Sequence, residues 1–477
     1  HYLDTVGVTG SIPVSPIQIS SSMQERVVVV GLGRSGTGAA RLLHYQGSQV
    51  SLFESGNTPE LQAKATALAA EGIEVKLAKP LAIASFDPLP DRVVISPGIA
   101  FNHSVLQQLR DQGVAVVGEM EVAWHGLAEV PWIAITGTNG KTTVTSLVAH
   151  LLQQAGVDAP ACGNIGSSTT ELALARAKTH GPQWAVVELS SFQIEAAPTV
   201  APRIGIWTTL TPDHLDRHGS INNYRSIKAS LLRRSQVQIL NANDPDLLAN
   251  ANDWPKALWV SAGPLEQLPA AFDAHIWIQG GVVNSKNGPL FPTAALAMPG
   301  VHNLQNLALA TAAALEVGLS PGQIEAGCRS FPGVAHRLEL IRTHQGIGFY
   351  NDSKATNYDA SLVALQALEG PLVLLAGGRA KRGEPAPWLK ALEQKVKAVV
   401  LFGEAAPTFN ELLGASGFSG RIARREGLDQ ALPLAAELAT ELGARAVLLS
   451  PACASFDQYE NFEQRGNHFR TLVEALN

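Results

Sequence analysis

Short runs of apolar residues alternate with longer segments of helical periodicity along most of the chain. The runs consist mainly of apolar and β-branched residues, so we predict them to be buried strands. They occupy residues 26–30, 49–53, 93–95, 133–136, 184–189, 204–208, 237–240, 258–260, 372–376, 398–402 and 446–450. Strands that alternate with helices in this way predict parallel sheets and an α/β fold.

The segment 131–150 combines one such strand with a glycine-rich turn and an amphipathic helix. The turn, residues 137–143, has the sequence GTNGKTT. Backbone N–H groups and the positive end of the helix dipole make such a turn an anion site. Lys141 adds a positive charge, and Thr142 offers a hydroxyl to a phosphate-bound Mg²⁺. The common phosphate loop has another glycine where this chain has Ile135, but the order of elements still predicts binding of a nucleoside triphosphate.

A second glycine turn, GLGRSG at residues 31–36, follows the first strand. It has the G-x-G-x-x-G spacing of Rossmann domains, and Glu54 ends the next strand near the position expected for a ribose contact. The pattern alone does not distinguish NAD, FAD and other nucleotides. Ser96-Pro97-Gly98 ends a further strand, where open α/β sheets bind ligands, although an ordinary tight loop is the alternative.

The 477 residues are enough for two to four domains, and the spacing of these units predicts three. We expect an N-terminal Rossmann-like domain at 23–118, a central P-loop ATPase-type parallel sheet at 119–333 and a C-terminal Rossmann-like α/β domain at 334–477. Residues 262–300, rich in Pro and Gly with short strand-like pieces, are predicted to be a loop-rich excursion of the central domain. Residues 1–22 are interpreted as a disordered leader or a start-site artefact.

Composition narrows the class of protein. The formal net charge is −6 with no long basic run, which argues against nucleic-acid binding through a basic face. Cys162, Cys328 and Cys453 are too widely spaced for a disulfide framework or a zinc site, which favours a reducing cytoplasm. No apolar run reaches about 18 residues, so no transmembrane helix is predicted. We expect a cytoplasmic monomer.

Polar residues follow several central strands. Glu188 ends one strand and could bind Mg²⁺, and His214 lies in a TPDHLDRH segment that suggests a metal or phosphate contact. Asn164, in a GNIG turn, could hold a hydroxyl or a sugar phosphate. Asn303 and Asn306 could contact a purine edge, or one of them could cap a helix. Each residue taken singly could equally be structural.

Four polar segments in the last third of the chain are also dense in hydrogen-bonding groups. They are His336-Arg337, residues 350–357, residues 377–383 and residues 450–457. The third of these is a basic glycine turn suited to a carboxylate or a phosphate. For each turn alone, an ordinary surface loop is at least as good an explanation.

Several sequence motifs in this chain are characteristic: GTNGKTT, GNIG, ELSSFQ, TPDHLDRH, GVHNLQN, NDSKATN, GGRAKRG and SPACASFDQYENFEQRG. With these motifs, residues 23–477 resemble the Mur ligase family. GTNGKTT and the DHLDRH region are typical of the whole superfamily. NDSKATN and SPACASFDQ with NFEQRG point to its D-glutamate-adding members, and the DNPR-type motif of the members that add diaminopimelate or lysine is absent.

The resemblance implies an ATP-dependent amide ligase of peptidoglycan precursor synthesis. Its domains would bind the UDP substrate, ATP and the incoming amino acid in chain order. The implied substrates are UDP-N-acetylmuramoyl-L-alanine, D-glutamate and ATP, with two Mg²⁺ ions. The implied reaction passes through an acyl phosphate, and we expect the third domain to close over the ATP site to exclude water.

The resemblance also implies roles for individual residues. The residues expected at the UDP substrate are Arg34, Ser35, Glu54, Ser55, Ser96, Pro97, Gly98, Asn164 and His214. Those expected at ATP are Gly137, Thr138, Asn139, Gly140, Lys141, Thr142, Thr143, Asn303, Asn306, Arg337 and Asp352. Those expected at D-glutamate are Thr356, Lys381, Ser455, Phe456 and Phe462. The implied catalytic residues are Lys141, Glu188, His214 and Lys228, and the implied metal ligands are Thr142, Glu188, His214 and Lys228.

Lys228 aligns with a family lysine that carries a carbamate. An ammonium there would repel Mg²⁺, whereas a carbamate supplies two anionic oxygens. A solvated helix lysine is the alternative, and the sequence leaves both open. Glu54 and Phe456 depart from the Asp and Leu found in family members, but both keep the type of chemistry.

Three other functions are compatible with parts of the sequence. Another amide ligase of the superfamily, such as a folylpolyglutamate synthase or another Mur step, would share the ATP turn. A Rossmann oxidoreductase could use GLGRSG for NAD, but GTNGKTT would then have no explanation. A non-catalytic nucleotide sensor would bind ATP without amino-acid-dependent turnover.

Overall fold

The structure, a computed structural model, describes residues 24–269, 272–380 and 383–476. Three sheets follow one another along these residues, and we call the units that contain them the N-terminal, central and C-terminal domains. The predicted leader at 1–22 and the predicted D-glutamate residue Lys381 lie outside the described residues.

The described strands number twenty. They are β1 Arg26–Val30, β2 Gln49–Phe53, β3 Glu74–Lys76, β4 Arg92–Ile95, β5 Ala115–Gly118, β6 Trp132–Thr136, β7 Ala161–Gly163, β8 Ala185–Glu188, β9 Ile204–Trp207, β10 Val237–Asn241, β11 Leu258–Ser261, β12 Ala274–Gln279, β13 Val282–Ser285, β14 Gly288–Pro292, β15 Glu339–His344, β16 Ile347–Asn351, β17 Leu372–Gly377, β18 Val396–Phe402, β19 Arg421–Arg424 and β20 Ala446–Leu449.

The described α-helices number seventeen. They are α1 Arg34–Tyr45, α2 Pro59–Ala70, α3 Ser104–Asp111, α4 Glu119–Gly126, α5 Lys141–Gln154, α6 Thr169–Lys178, α7 Ser191–Glu195, α8 Leu215–His218, α9 Ile221–Arg234, α10 Pro245–Ala249, α11 Val301–Val317, α12 Pro321–Ser330, α13 Tyr358–Ala367, α14 Ala386–Lys395, α15 Ala406–Ser416, α16 Leu428–Glu441 and α17 Phe462–Glu474. Short 3-10 turns occur at Ile83–Phe86, Ala251–Asp253, Leu265–Gln267 and Thr293–Ala295.

The N-terminal domain is a parallel five-stranded sheet of order β3-β2-β1-β4-β5. The glycine turn leaves β1 at the middle of this sheet and enters α1 at Arg34. A Cβ atom on Gly36 would lie 1.9 Å from the carbonyl oxygen of Gly31, so only glycine lets the helix begin this close to the strand. Close helix–strand packing is the role of the third glycine in a Rossmann turn, and the predicted Rossmann-like fold is confirmed.

The central domain is a nine-stranded sheet of order β14-β13-β12-β11-β10-β9-β6-β8-β7. β6 lies between β8 and β9, and all five of its residues are buried. The predicted sheet is parallel from β7 to β12, but β13 and β14 run antiparallel and extend its edge. Residues 262–300 are therefore more regular than the loop-rich excursion that their Pro and Gly content predicts.

The C-terminal domain is a six-stranded sheet of order β15-β16-β20-β17-β18-β19, in which only β15 runs antiparallel. The helices α13, α14 and α15 cover one face, where Trp388 and Phe409 are fully buried. α16 and α17 cover the other face. Helices on both faces leave the carboxyl edge of the parallel strands as the place for ligand-binding loops.

The N-terminal and central domains meet along α1 and α6. Arg34 Nη1 donates to the carbonyl oxygen of Gly166 at 2.7 Å, and the Tyr45 hydroxyl donates to that of Ala177 at 3.2 Å. No helix among the described residues is long and apolar enough to cross a membrane.

Candidate nucleotide site between two domains

The glycine-rich turn of the central domain lies against the segment that follows β9. The backbone N–H of Thr138 donates to the carbonyl oxygen of Thr209 at 2.8 Å, and that of Asn139 donates to Thr209 Oγ1 at 2.9 Å. Gly137 has φ of 147°, and a Cβ atom there would lie 1.9 Å from Thr208 Oγ1. The turn can therefore take this shape only with glycine at 137.

Two lysines converge on this turn. Lys141 Nζ donates to the carbonyl oxygens of Gly137 and Thr138 at 3.0 and 2.8 Å. Lys228 Nζ donates to the same Gly137 oxygen at 2.9 Å and to Thr136 Oγ1 at 3.3 Å. Lys228 is 1% exposed. The solvated-helix alternative for this lysine is therefore wrong, because α9 turns it into the domain instead.

The acid–base properties of both lysines follow from this burial. Burial lowers the pKa of Lys141 and lowers that of Lys228 well below its ordinary value. The Lys141 charge lowers the pKa of Lys228 further, whereas Asp213 and Glu188 act in the opposite direction. A bound anion would relieve this unfavourable environment for two positive charges.

Glu188, at the carboxyl end of β8, supplies the buried carboxylate of this region. Its Oε1 accepts from Asn164 Nδ2 at 2.9 Å, while its Oε2 is buried without a hydrogen-bond partner among the described residues. A buried carboxylate oxygen left unpaired is costly unless a cation or donor completes it. Together with the Thr142 hydroxyl it offers the hard oxygen ligands that Mg²⁺ prefers, so these residues fit a magnesium ion.

The C-terminal domain reaches the same turn with two more cations. Arg337 Nη2 and Lys354 Nζ donate to Thr142 Oγ1 at 3.2 and 3.3 Å. Burial, together with the nearby Arg337 charge, lowers the pKa of Lys354 to about 8. Arg337 also has a buried Nε without a hydrogen-bond partner among the described residues. The C-terminal domain therefore contacts the glycine-rich turn of the central domain through Arg337 and Lys354, and closure over ATP stays a prediction.

Asp352 holds the segment that precedes β15 and carries Arg337. Its carboxylate accepts from the Leu338 N–H at 3.1 Å and from the Ser450 hydroxyl at 2.7 Å. Burial raises the pKa of this carboxyl to about 7, against the opposing effect of these hydrogen bonds and of Arg337. Asp352 thus ties the segments after β16 and β20 to the start of β15.

A cavity opens beside the turn, between the central and C-terminal domains. Its polar lining consists of Asn139, Gly140, Thr143, Thr209, His302, Asn303, Gln305, Asn306, Arg337, Asp352 and Lys354. Its apolar lining consists of Met298, Leu338, Ala355, Ala360, Val363 and Ala364. A pocket beside a phosphate-type turn that offers both charged and apolar side chains suits a nucleotide.

Asn303 and Asn306 both face this cavity. Asn303 Nδ2 donates to the carbonyl oxygen of Pro299 at 2.7 Å, and Asn306 Nδ2 donates to Asn303 Oδ1 at 3.0 Å. The N-cap of α11 is Gly300, so neither asparagine caps the helix. The alternative capping role is therefore wrong, and a role at adenine stays a prediction.

Most of the residues predicted at the UDP substrate lie at the carboxyl edge of the N-terminal sheet. Glu54 accepts from the N–H groups of Leu32 and Gly56, both at 2.9 Å, so its carboxylate braces the glycine turn. Ser96 Oγ donates to the Gly31 oxygen at 3.4 Å, which brings the Ser96-Pro97-Gly98 turn to the same edge. Ser35 and Ser55 lie beside them on the turn and after β2. Their ligand contacts stay predictions.

The TPDHLDRH segment links this edge to the central domain. Arg217 Nη2 donates to the carbonyl oxygen of Ile99 at 2.8 Å. His214 has left-handed backbone geometry with φ of 52°, is exposed, and packs its ring 5.0 Å from that of Phe192. His218, in contrast, is buried, and its Nε2 shares a hydrogen bond of 2.9 Å with Ser191 Oγ. His214 is thus the accessible histidine of the pair, and its metal and catalytic roles stay predictions.

The described residues predicted at D-glutamate lie on the loops after β16 and β20 and at the start of α17. Ser455 is buried, Phe462 is half-buried and Phe456 is 62% exposed. Thr356 follows Lys354 on the loop after β16. The Ser353 hydroxyl donates to the Phe462 carbonyl oxygen at 2.8 Å, which brings the loop after β16 to the start of α17. The ligand contacts of these residues stay predictions.

Sequence reasoning assigned no role to Arg465, which organises these loops. It is fully buried on α17, and its Nε donates to Ser353 Oγ at 2.9 Å. Its Nη2 donates to the carbonyl oxygens of Ser353 and Cys453 at 2.7 and 3.1 Å. Burial lowers its pKa to about 10. In the sequence, such a structural role is indicated by the position of Arg465, which lies inside the NFEQRG string on the apolar face of a helix.

Comparison with known proteins agrees with this arrangement. Three family models match successive parts of the chain: the Mur ligase MurD-like N-terminal domain at 25–118, the Mur ligase middle domain at 135–314 and the Mur ligase glutamate ligase domain at 336–453. Three α/β domains with a phosphate turn in the middle one define a nucleotide-binding ligase of this type. The chain belongs to the Mur ligase family.

Individual members of that family are similar to this chain over almost its whole length. A UDP-N-acetylmuramoylalanine–D-glutamate ligase of Parasynechococcus marenigrum (strain WH8102) is 54% identical, over 94% of this chain and 98% of the relative. A ligase of the same name from Prochlorococcus marinus (strain MIT 9313) is 53% identical, over 94% of this chain and 99% of the relative. The solved UDP-N-acetylmuramate–alanine ligase of Thermotoga maritima shares the fold at a TM-score of 0.58 and 19% identity, over 94% of this chain and 99% of its own.

We predict that Gly140→Ala weakens binding of a non-hydrolysable ATP analogue at least about tenfold, or ~1.4 kcal/mol. Gly140 has φ of 82°, and its Cβ atom would lie 2.7 Å from Asn306 Oδ1 in the cavity. Gly156 has the same φ of 82° with nothing within 4 Å, so Gly156→Ala carries a similar backbone strain without the collision. Calorimetric titration compares the two variants, and equal affinities would refute the placement of the nucleotide.

Proposed function

We propose that this chain joins D-glutamate to UDP-N-acetylmuramoyl-L-alanine in an ATP-dependent ligation. The observation that carries the proposal is the convergence of Lys141, Lys228, Arg337 and Lys354 on one phosphate-type turn at a domain junction. The relatives that bear this activity in their names match almost the whole chain, which supports the choice of substrates. Because the reaction consumes ATP and a UDP-sugar, we expect it in the cytoplasm.

The first step activates a carboxylate, which is otherwise a poor electrophile. An oxygen of the terminal alanine carboxylate attacks the γ-phosphorus of ATP, the bond to the bridging oxygen breaks, and ADP leaves. Charge spreads over the transferred phosphoryl oxygens, so positioned cations lower the barrier. Lys141 and the turn would hold the phosphates from one domain, and Arg337 and Lys354 would do so from the other.

The second step forms the amide. The unprotonated amine of D-glutamate attacks the acyl carbon, inorganic phosphate leaves, and the nitrogen loses a proton to His214 or a nearby carboxylate. Water at this stage would hydrolyse the acyl phosphate. The contacts of Arg337 and Lys354 with Thr142 support a closed arrangement that excludes it.

A magnesium ion would be held by Glu188 and the Thr142 hydroxyl, with phosphate oxygens as further ligands. When bound, it neutralises charge on the phosphates during transfer. His214 would be a further metal ligand, on the side of the UDP substrate. We infer two such ions from the family resemblance.

We also propose that Lys228 is carbamylated. Its Nζ is buried, and its hydrogen-bond acceptors among the described residues are the neutral oxygens of Gly137 and Thr136. A neutral amine adds its nitrogen to the carbon of CO₂ and releases a proton, which leaves a carbamate anion in place of a cation. The exchange would turn a repulsive neighbour of Mg²⁺ into an oxygen ligand.

The decisive assay measures phosphate release from ATP with UDP-N-acetylmuramoyl-L-alanine and a panel of D- and L-amino acids. We expect turnover with D-glutamate and at most traces with the other amino acids. Lys141→Ala should form no detectable ADP, because the transferred phosphoryl group loses its cation.

Other outcomes of this assay point to other functions. Turnover with a different amino acid would indicate another ligase of the superfamily, and ATP binding without turnover would indicate a sensor. A nicotinamide absorbance change would indicate an oxidoreductase. Normal ADP formation by Lys141→Ala would contradict the role of that lysine.

The carbamate is tested by Lys228→Ala. We expect loss of activity, with partial recovery on adding a short carboxylic acid such as acetate, which can return an anionic oxygen to the vacated space. Lys256→Ala, at an exposed lysine of the same domain, should remain active and insensitive to acetate. Failure of acetate to restore any Lys228→Ala activity counts against the carbamate.

A further inference from the structure

A second cavity lies at the carboxyl edge of the C-terminal sheet, where β17, β18 and β19 end. It has a volume of about 970 Å³ and shares no lining residue with the nucleotide cavity. We call it the arginine groove. It is lined by Arg379, Gly403, Glu404, Ala406, Pro407, Arg424, Arg425, Glu426, Gln430, Asp457 and Gln458.

The walls of the arginine groove are fixed by contacts among its loops. Asp457 Oδ2 accepts from the Glu404 N–H at 3.0 Å, and Gln458 Nε2 donates to the Glu426 carbonyl oxygen at 2.6 Å. Gly403, with φ of 70°, leaves room for this carboxylate, because a Cβ atom there would lie 2.3 Å from it. The segment 457–458 is thereby tied to the ends of both β18 and β19.

The charges in the groove are of both signs and are only partly paired. Arg379 Nε lies 3.1 Å from Glu404 Oε2. Arg424 and Arg425 form no salt bridge with a carboxylate in the described part of the chain, and neither does Glu426. Asp457 likewise forms no salt bridge with a cation in the described part of the chain. The groove therefore offers two guanidinium groups for anions beside two carboxylates for a cation.

The start of α15 adds to the positive side of the groove. Ala406 and Pro407 of its first turn line the groove, and its N-cap Ala405 supplies no capping side chain. The uncapped N–H groups of a first helical turn favour negative charge, which reinforces Arg424 and Arg425.

This arrangement matches an amino dicarboxylate, which carries two carboxylates and one ammonium group. We infer that the arginine groove is an outer subsite that captures D-glutamate before it reaches the inner site. Segment 454–458 connects the two places: Ala454 exchanges backbone hydrogen bonds of 2.8 and 2.9 Å with Arg379, and Ser455 and Phe456 follow it. The inference rests on the proposed function, since it takes its ligand from that reaction.

The test is the double variant Arg424→Ala/Arg425→Ala in the full-length chain. Loss of capture should lower kcat/KM for D-glutamate about five- to tenfold, while kcat and the KM for ATP stay unchanged. Raising the salt concentration should lower kcat/KM of the wild type toward that of the variant, because attraction between solvent-exposed charges is screened.

The control is Arg421→Ala/Arg445→Ala, which removes the same net charge from the same domain. These arginines pair with Glu441 and Glu369 at the surface and do not line the groove. The control should keep the wild-type kcat/KM. Equal kinetic constants in the groove variant and the wild type would overturn the subsite and leave the proposed function standing. Absence of D-glutamate turnover in the wild type would instead refute the proposed function.

Discussion

Four basic side chains gathered around one glycine-rich turn are the constraint on which the rest of the structure depends. Lys141 and Lys228 share the carbonyl oxygen of Gly137, while Arg337 and Lys354 share the hydroxyl of Thr142. Burying like charges costs on the order of several kcal/mol per ion unless opposite charge compensates. Glu188 supplies part of that charge, so a polyphosphate is the natural partner for the remainder.

The three-domain architecture is what brings these groups together. In parallel sheets all strands end at the same edge, so β6, β8 and β9 deliver the turn, Glu188 and the Thr208–Thr209 contact to one place. The C-terminal domain contributes Arg337 and Lys354 from loops near its own sheet edge. Since both cations meet Thr142, the anion between the domains would also be what holds them closed. Ligand binding and domain closure are thus two aspects of one electrostatic interaction.

Local sequence sufficed where structure and chemistry are local. Strands β1 and β2 match their predicted bounds, and the turns after β1 and β6 needed only glycine spacing to be found. Long-range contacts were not predictable in this way. The Arg465 contacts, the bracing of the glycine turn by Glu54 and the antiparallel strands β13 and β14 depend on residues distant in the chain or on pairing at a sheet edge. The burial of Lys228 likewise depends on how α9 packs within the central domain, which the local sequence does not specify.

Calorimetric titration of the wild-type chain with adenosine, ADP and a non-hydrolysable ATP analogue, at one salt concentration, tests the role of the four buried cations most directly. If the buried cations are the main source of affinity, each added phosphate should tighten binding, and the triphosphate should bind at least about a hundredfold more tightly than adenosine, or ~2.7 kcal/mol. Adenosine that binds as tightly as the triphosphate would contradict the central claim.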